Sequence, residues 1–222
     1  MKTVSLINQK GGVGKTTLAL HLATAFWQKG NNVLVLDLDP QASATEWHDA
    51  RAEKFPHVES IQPARLPKAF ESARDIGTDI LILDTAPHSE ATALDAARRA
   101  DLVLVPCQPS IMDIRAMRKT VDVLNLINVP SFAILNSVPG HGQTTADDAA
   151  STIETAIGLP MCPVRLGDRV AYNRCLITGQ AAQEYEPQGK AATEIEQLYA
   201  WTCEQLRIPI SDRAAARARR AG

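Results

Sequence analysis

Short unbroken runs of apolar residues recur along the chain, and most are followed by a stretch long enough for a helix. The runs are Thr3–Ile7, Asn32–Leu36, Asp79–Leu83, Leu102–Val105 and Phe132–Leu135. They are rich in Val, Ile and Leu and do not alternate with polar residues. Both faces of each strand are therefore expected to be buried, which is the mark of a parallel sheet. Between the runs, Thr16–Gln28, Ser43–Glu53, Glu90–Arg99, Ile111–Leu126 and Thr144–Ala156 read as helices. Strand then helix, repeated, predicts an α/β fold: a doubly wound, mostly parallel sheet with helices on both faces. A last helix over Gln188–Leu206 carries Ile195, Leu198, Tyr199, Thr202 and Leu206 on one stripe. The pattern gives one domain over residues 1–206 and an Arg/Ala-rich tail over 207–222.

Composition narrows the class. The chain has 222 residues, 45% of them hydrophobic and 22% charged. A chain of this size and balance buries a real core and is neither disordered nor collagenous. No apolar run approaches the ~20 residues of a membrane span. The N-terminus turns polar at Asn8-Gln9-Lys10, which argues against a signal peptide. Cys107, Cys162, Cys175 and Cys203 are widely spaced and lack a Cys-x-x-Cys pair, so they read as reduced thiols of a cytoplasmic protein. The net charge of −2 hides an asymmetry: residues 207–222 hold five Arg and one Asp, leaving −6 on the rest. A basic tail on an acidic body suggests a polyanionic partner.

The most informative stretch is Lys10-Gly11-Gly12-Val13-Gly14-Lys15-Thr16-Thr17, which follows the first strand and opens the first helix. Its glycines let successive backbone amides point inward as an anion nest, and the helix N-terminus adds positive potential. Lys15 is expected to reach the β- and γ-phosphates of a nucleotide, and the Thr16 hydroxyl to ligate Mg2+. The usual phosphate-loop pattern fails at its first position, which is Gln9, and a lysine precedes the Gly pair instead.

That loop resembles the deviant Walker A motif of the ParA/MinD ATPases, in the SIMIBI class of P-loop proteins. The resemblance implies that Lys10 is a signature lysine crossing a nucleotide-sandwich homodimer to the partner's ATP. Leu36-Asp37-Leu38-Asp39-Pro40-Gln41 looks like the family's A′ motif, in which Asp39 orients the attacking water and Asp37 lies nearer the metal. Leu83-Asp84-Thr85-Ala86-Pro87 resembles a Walker B segment, with Asp84 toward Mg2+. The segment Val103 to Ser110, with Asp113 and Arg115 after it, resembles the family's nucleotide-sensing switch. Asn136 matches a position that reads the adenine edge, and Pro163 a residue that lines the adenine face.

The resemblance further implies an ATP-held dimer that binds DNA without sequence preference and is released when a partner stimulates slow hydrolysis. Arg169 and Arg174, with Arg213, Arg217 and Arg220 in the tail, are the candidate phosphate contacts. The first strand starts at about Lys2, as in small ParA proteins without a helix-turn-helix module. Specific recognition is then expected of a ParB-like centromere-binding or adaptor protein. The tail has only Ala opposite its cations, so a membrane role is not expected. The expected task is segregating plasmid or chromosomal DNA, or positioning a large cargo on the nucleoid. A metabolic or metal-cofactor-maturation ATPase or ligase on the same fold, similar to dethiobiotin synthetase, is the alternative.

Overall fold

The computed structural model describes residues 1–141 and 143–210. Six strands form one sheet: β1 (Lys2–Leu6), β2 (Val33–Asp37), β3 (His57–Ser60), β4 (Ile80–Asp84), β5 (Leu102–Cys107) and β6 (Ser131–Leu135). Their order is β3-β2-β4-β1-β5-β6, and every pairing is parallel. Helices α1 (Lys15–Gln28), α2 (Ser43–Asp49), α3 (Leu66–Asp75), α4 (Glu90–Arg99), α5 (Ile111–Leu124) and α6 (Gln143–Thr152) connect the strands or follow the last. Then come α7 (Val170–Ile177), α8 (Ala182–Tyr185) and α9 (Lys190–Leu206).

Strand side chains alternate between two cores, as a pleated sheet covered on both faces requires. Val4, Val35, Ile82 and Leu104 pack with α1, α7 and α9 on one face. Leu36, Leu81, Leu83, Val103 and Val105 pack with α3 to α6 on the other. On the first face Phe26 and Tyr199 meet edge to face at 5.0 Å, joining α1 to α9. All four cysteines are buried free thiols.

The differences from the sequence reading fall at the edges. Strand β3 and helix α3 lie inside a segment that shows no apolar run. β3 is an edge strand with mostly exposed residues, so it carries no buried-strand signature. Helix α2 stops at Asp49 rather than Glu53. Beyond α6 the chain widens into a π turn over Ile153–Ile157, closed by Gly158 in the left-handed region. Helix α9 ends at Leu206, where Arg207 adopts φ 54.

Because β1 lies centrally, between β4 and β5, its C-terminal end faces the crevice where the crossovers diverge. Open α/β sheets bind ligands at such switch points. Parallel register aligns Leu6 with Asp84, and Asp84 with Asp37, placing two carboxylates side by side on β4 and β2 at that end.

Candidate nucleotide site

The loop between β1 and α1 is held from behind. The Asn8 side chain donates to Pro106 O at 2.8 Å and accepts the Lys10 amide at 2.9 Å. The Gln9 amide donates to the Thr120 hydroxyl at 3.1 Å. From Gly11 to Gly14 no described hydrogen bond uses a backbone amide, so these donors are available to a ligand. Gly14 has φ +94, and a Cβ there would stand 2.1 Å from the Asn136 side-chain nitrogen, so only glycine fits. Asn136 itself donates to Val13 O at 2.9 Å.

Lys15 is 6% exposed and donates to Lys10 O at 3.2 Å across the loop. Burial pulls its pKa below the usual lysine range, while Asp84 and then Asp39 pull it back. Asp84 is fully buried, and among the described residues neither of its oxygens has a hydrogen-bond partner of ordinary geometry. Burial pushes its carboxyl up to about 7; the Thr16 hydroxyl beside it and the Lys15 ammonium act the other way. A buried carboxylate left without donors is costly unless a counter-charge arrives. The donor set of Asp84 and the Thr16 hydroxyl therefore fits a hard divalent cation such as Mg2+.

Asp37 is also buried, yet its oxygens are occupied. They accept the backbone amides of Asp39 at 3.0 Å, Ala44 at 3.1 Å and Thr45 at 3.3 Å. Burial raises its pKa and these amides oppose the rise. Asp37 thus caps the start of α2 and fixes the turn that presents Asp39.

Lys10 forms an ion pair with Asp113 at the start of α5. Asp113 also accepts the Ser110 hydroxyl at 2.7 Å and the Gln108 amide at 3.3 Å. Burial alone would raise this carboxyl; hydrogen bonds from Lys10, Ser110 and Gln108 outweigh it and hold the pKa below the usual range. The Gln108 side chain reaches Gly12 O at 3.3 Å, so the β5–α5 loop and the first turn of α5 each touch the phosphate loop.

A cleft of about 670 Å³ opens over the loop. Gly11, Gly12, Gly14, Lys15, Thr16 and Thr17 line one side, Asp39, Gln41, Ser43 and Glu46 another, and Leu20, Trp47, Leu176 and Ile177 form an apolar end. The volume suits a nucleotide-sized ligand. Neither Asn136 nor Pro163 lines this cleft. Asn136 sits under the loop at 8% exposure, and Pro163 is exposed beyond the Ala133–Met161 bridge.

The arginine candidates separate. Arg169 is paired with Glu194 through Nε at 3.1 Å and Nη2 at 2.7 Å, and Glu194 also accepts the Tyr172 hydroxyl and the Gly167 amide. Arg174 is exposed on α7. Arg213, Arg217 and Arg220 lie outside the described residues.

The sequence reading did not single out Arg51. Its guanidinium is 2% exposed and bonds Glu184 at 2.5 and 2.7 Å, Gly179 O at 2.7 Å and Phe55 O at 2.7 Å. The Trp47 ring lies 4.8 Å from its carbon and the Trp27 ring 5.6 Å. This bolt joins the end of α2 to the α7–α8 turn. The only sequence signal was its place among aromatic residues in an otherwise polar loop.

A central parallel sheet, a glycine loop opening α1 and an orphaned carboxylate beside the loop threonine together define a P-loop nucleotide-binding protein. Residues 4–181 match the model of the CobQ/CobB/MinD/ParA nucleotide binding domain. The maintenance of carboxysome distribution protein A of Gloeobacter kilaueensis is 31% identical over 92% of this chain and 94% of its own. The chromosome-partitioning ATPase Soj of Thermus thermophilus is 34% identical over 49% of this chain and 55% of its own. In fold, the chain is similar to apo McdA of Cyanothece, with TM-score 0.74 and 18% identity over 93% of this chain and 99% of that one. It is likewise similar to the Pyrococcus horikoshii septum site-determining protein MinD complexed with Mg-ADP, with TM-score 0.71 and 19% identity over 89% and 94%. The chain belongs to the ParA/MinD family of nucleotide-binding ATPases. Among the described residues no helix is long and apolar enough to cross a membrane.

Proposed function

We propose that the protein is an ATP-dependent dimerisation switch that binds DNA without sequence preference and positions a cargo on the nucleoid. The observation that carries this reading is the pair of lysines at the loop. Lys15 is buried at its base, while Lys10 stands at its mouth, partly exposed and held by Asp113. A cation parked on a protein carboxylate is available to be transferred to the charge of a nucleotide brought by a second copy.

The amides of the glycine loop and Lys15 bind the phosphates. Thr16 and Asp84 would hold Mg2+, and the ion would supply charge neutralisation to the phosphates. Asp39, presented by the Asp37-capped turn, orients the water that takes the γ-phosphoryl group and leaves ADP. Lys10 stabilises the charge that develops on the transferred group. Asn136 keeps the loop in shape through its bond to Val13 O, and the adenine is assigned to the side of the loop where Asn136 and Pro163 lie, outside the cleft lined by the glycines.

DNA contact falls first to Arg174, since Arg169 is engaged by Glu194, and to Arg213, Arg217 and Arg220 of the tail. A ParB-like or adaptor protein stimulates hydrolysis and ends the cycle. The likeness to a protein named for carboxysome distribution supports a protein assembly as cargo, and that to Soj supports DNA. ATP turnover with and without duplex DNA tests this reading. Slow turnover that responds to DNA supports it; fast turnover that needs a small carboxylic-acid substrate and ignores DNA refutes it in favour of a ligase.

A further inference from the structure

Buried behind the phosphate loop, Thr120 has no place in the chemistry above. It lies seven residues after Asp113, two turns along α5 and on the same face. Thr120 is 0% exposed, and its oxygen accepts the Gln9 amide at 3.1 Å. Its hydroxyl proton points to the Asn8 side-chain oxygen at 3.5 Å, and that oxygen also takes the Lys10 amide at 2.9 Å. The amides of residues 9 and 10 are thus both turned away from the loop interior, while those of Gly11 to Gly14 have no described protein partner. The change between them leaves the glycine amides free for a ligand.

We infer that Thr120 is a positioning residue for the γ-phosphate end of the site. One face of α5 registers the loop entrance at two points: Asp113 holds the Lys10 side chain and Thr120 holds the backbone just before it. Without the hydroxyl, the buried Gln9 amide is orphaned and its peptide rotates to find another acceptor. The rotation carries Lys10 and Gly11 with it. Lys15, Thr16 and Thr17 sit on α1, whose backbone is held by the helix itself; of the three only the Lys15 side chain has a described bond to the loop entrance, at Lys10 O, so the inner phosphates keep their helix-borne donors.

The inference rests on the nucleotide reading above, and its test separates the two. Affinities of ADP and of a non-hydrolysable ATP analogue are measured by calorimetry on the full chain, alongside melting temperature. For Thr120→Val the expected result is an about tenfold loss for the analogue, about 1.4 kcal/mol, with ADP within about twofold of wild type. Thr120→Ser, which keeps the hydroxyl, restores the analogue. If the valine variant does not fold, Thr120→Cys, a weak acceptor of similar size, is expected to show the same loss for the analogue. An unchanged analogue-to-ADP ratio in the folded variant, whatever its melting temperature, means that Thr120 only packs the core and overturns the inference. Wild-type protein that binds neither nucleotide overturns the underlying reading, and this inference with it.

Discussion

His21 supplies a test of the packing between α1 and α7 that is independent of any ligand. It is fully buried on α1, with Nδ1 2.6 Å from Thr17 O, Nε2 3.4 Å from Cys175 Sγ, and the Tyr172 ring edge-on at 5.1 Å. Burial pulls its pKa down to about 4; the Thr17 carbonyl and then Glu184 oppose the fall without reversing it. An unfolded histidine titrates near ~6.5. Between the two values the unfolded chain binds the extra proton, so stability falls as pH drops through that window. From pH 7.5 to 5.0 the two pKa values give a loss of about 2 kcal/mol from this one residue, approaching about 3 kcal/mol below pH 4. Urea unfolding of wild type and His21→Gln across this range isolates the contribution, because the carboxylates titrate in both. The wild type is expected to lose about 2 kcal/mol more than the variant between those pH values. Parallel stability–pH curves would mean that His21 protonates freely in the folded state, and the tight α1–α7 packing would be wrong.

Other predictions follow from close approaches and charges. Gly14→Ala should abolish nucleotide binding, because the new methyl group meets Asn136 and the φ of +94 disfavours any side chain; calorimetry with ADP checks this, and wild-type affinity contradicts it. Gly179→Ala puts a Cβ 2.4 Å from the Arg51 backbone at φ +66 and should cost more than about 2 kcal/mol in urea unfolding. Arg51→Ala leaves the mostly covered Glu184 with the Ala181 amide but no cation and should cost about 2–3 kcal/mol, whereas Arg51→Met with Glu184→Leu should recover most of it; equal losses in both variants would argue against a strongly coupled pair. Asp39→Ala should bind ATP yet turn it over slowly and accumulate dimers on size exclusion, and turnover at the parent rate would remove Asp39 from the mechanism.

What the sequence made legible was what repeats or what is buried on both sides. The runs at β1, β2, β4, β5 and β6 are buried throughout or nearly so, and therefore carried an unbroken apolar pattern. Strand β3 pairs on one side only, with Glu59 and Ser60 exposed, so no such pattern existed to read. Helix α3 opens with Pro67 after a short 3-10 turn, and α8 spans only Ala182–Tyr185, too short for periodicity. The phosphate loop was visible because its chemistry is contiguous. The partners that give it shape were not: Thr120 lies 111 residues from Gln9, and Asn136 lies 123 from Val13. The same separation explains the arginines. Arg169 reads as a phosphate contact in the sequence, where the ion pair that the fold makes with Glu194 of α9 cannot be seen. Asp37, expected nearer the metal, stands beside Asp84 at the strand ends, and its oxygens also take three amides around the start of α2 that the sequence did not reveal.

The central claim is that Lys10 leaves Asp113 to act on a nucleotide held by a second copy. Sedimentation velocity of wild type and Lys10→Ala, each with ADP and with a non-hydrolysable ATP analogue, measures it directly. Wild-type protein should double in mass with the analogue alone, and Lys10→Ala should bind the analogue yet stay monomeric. A Lys10→Ala protein that dimerises as readily as wild type would leave the loop a phosphate cradle with no switch.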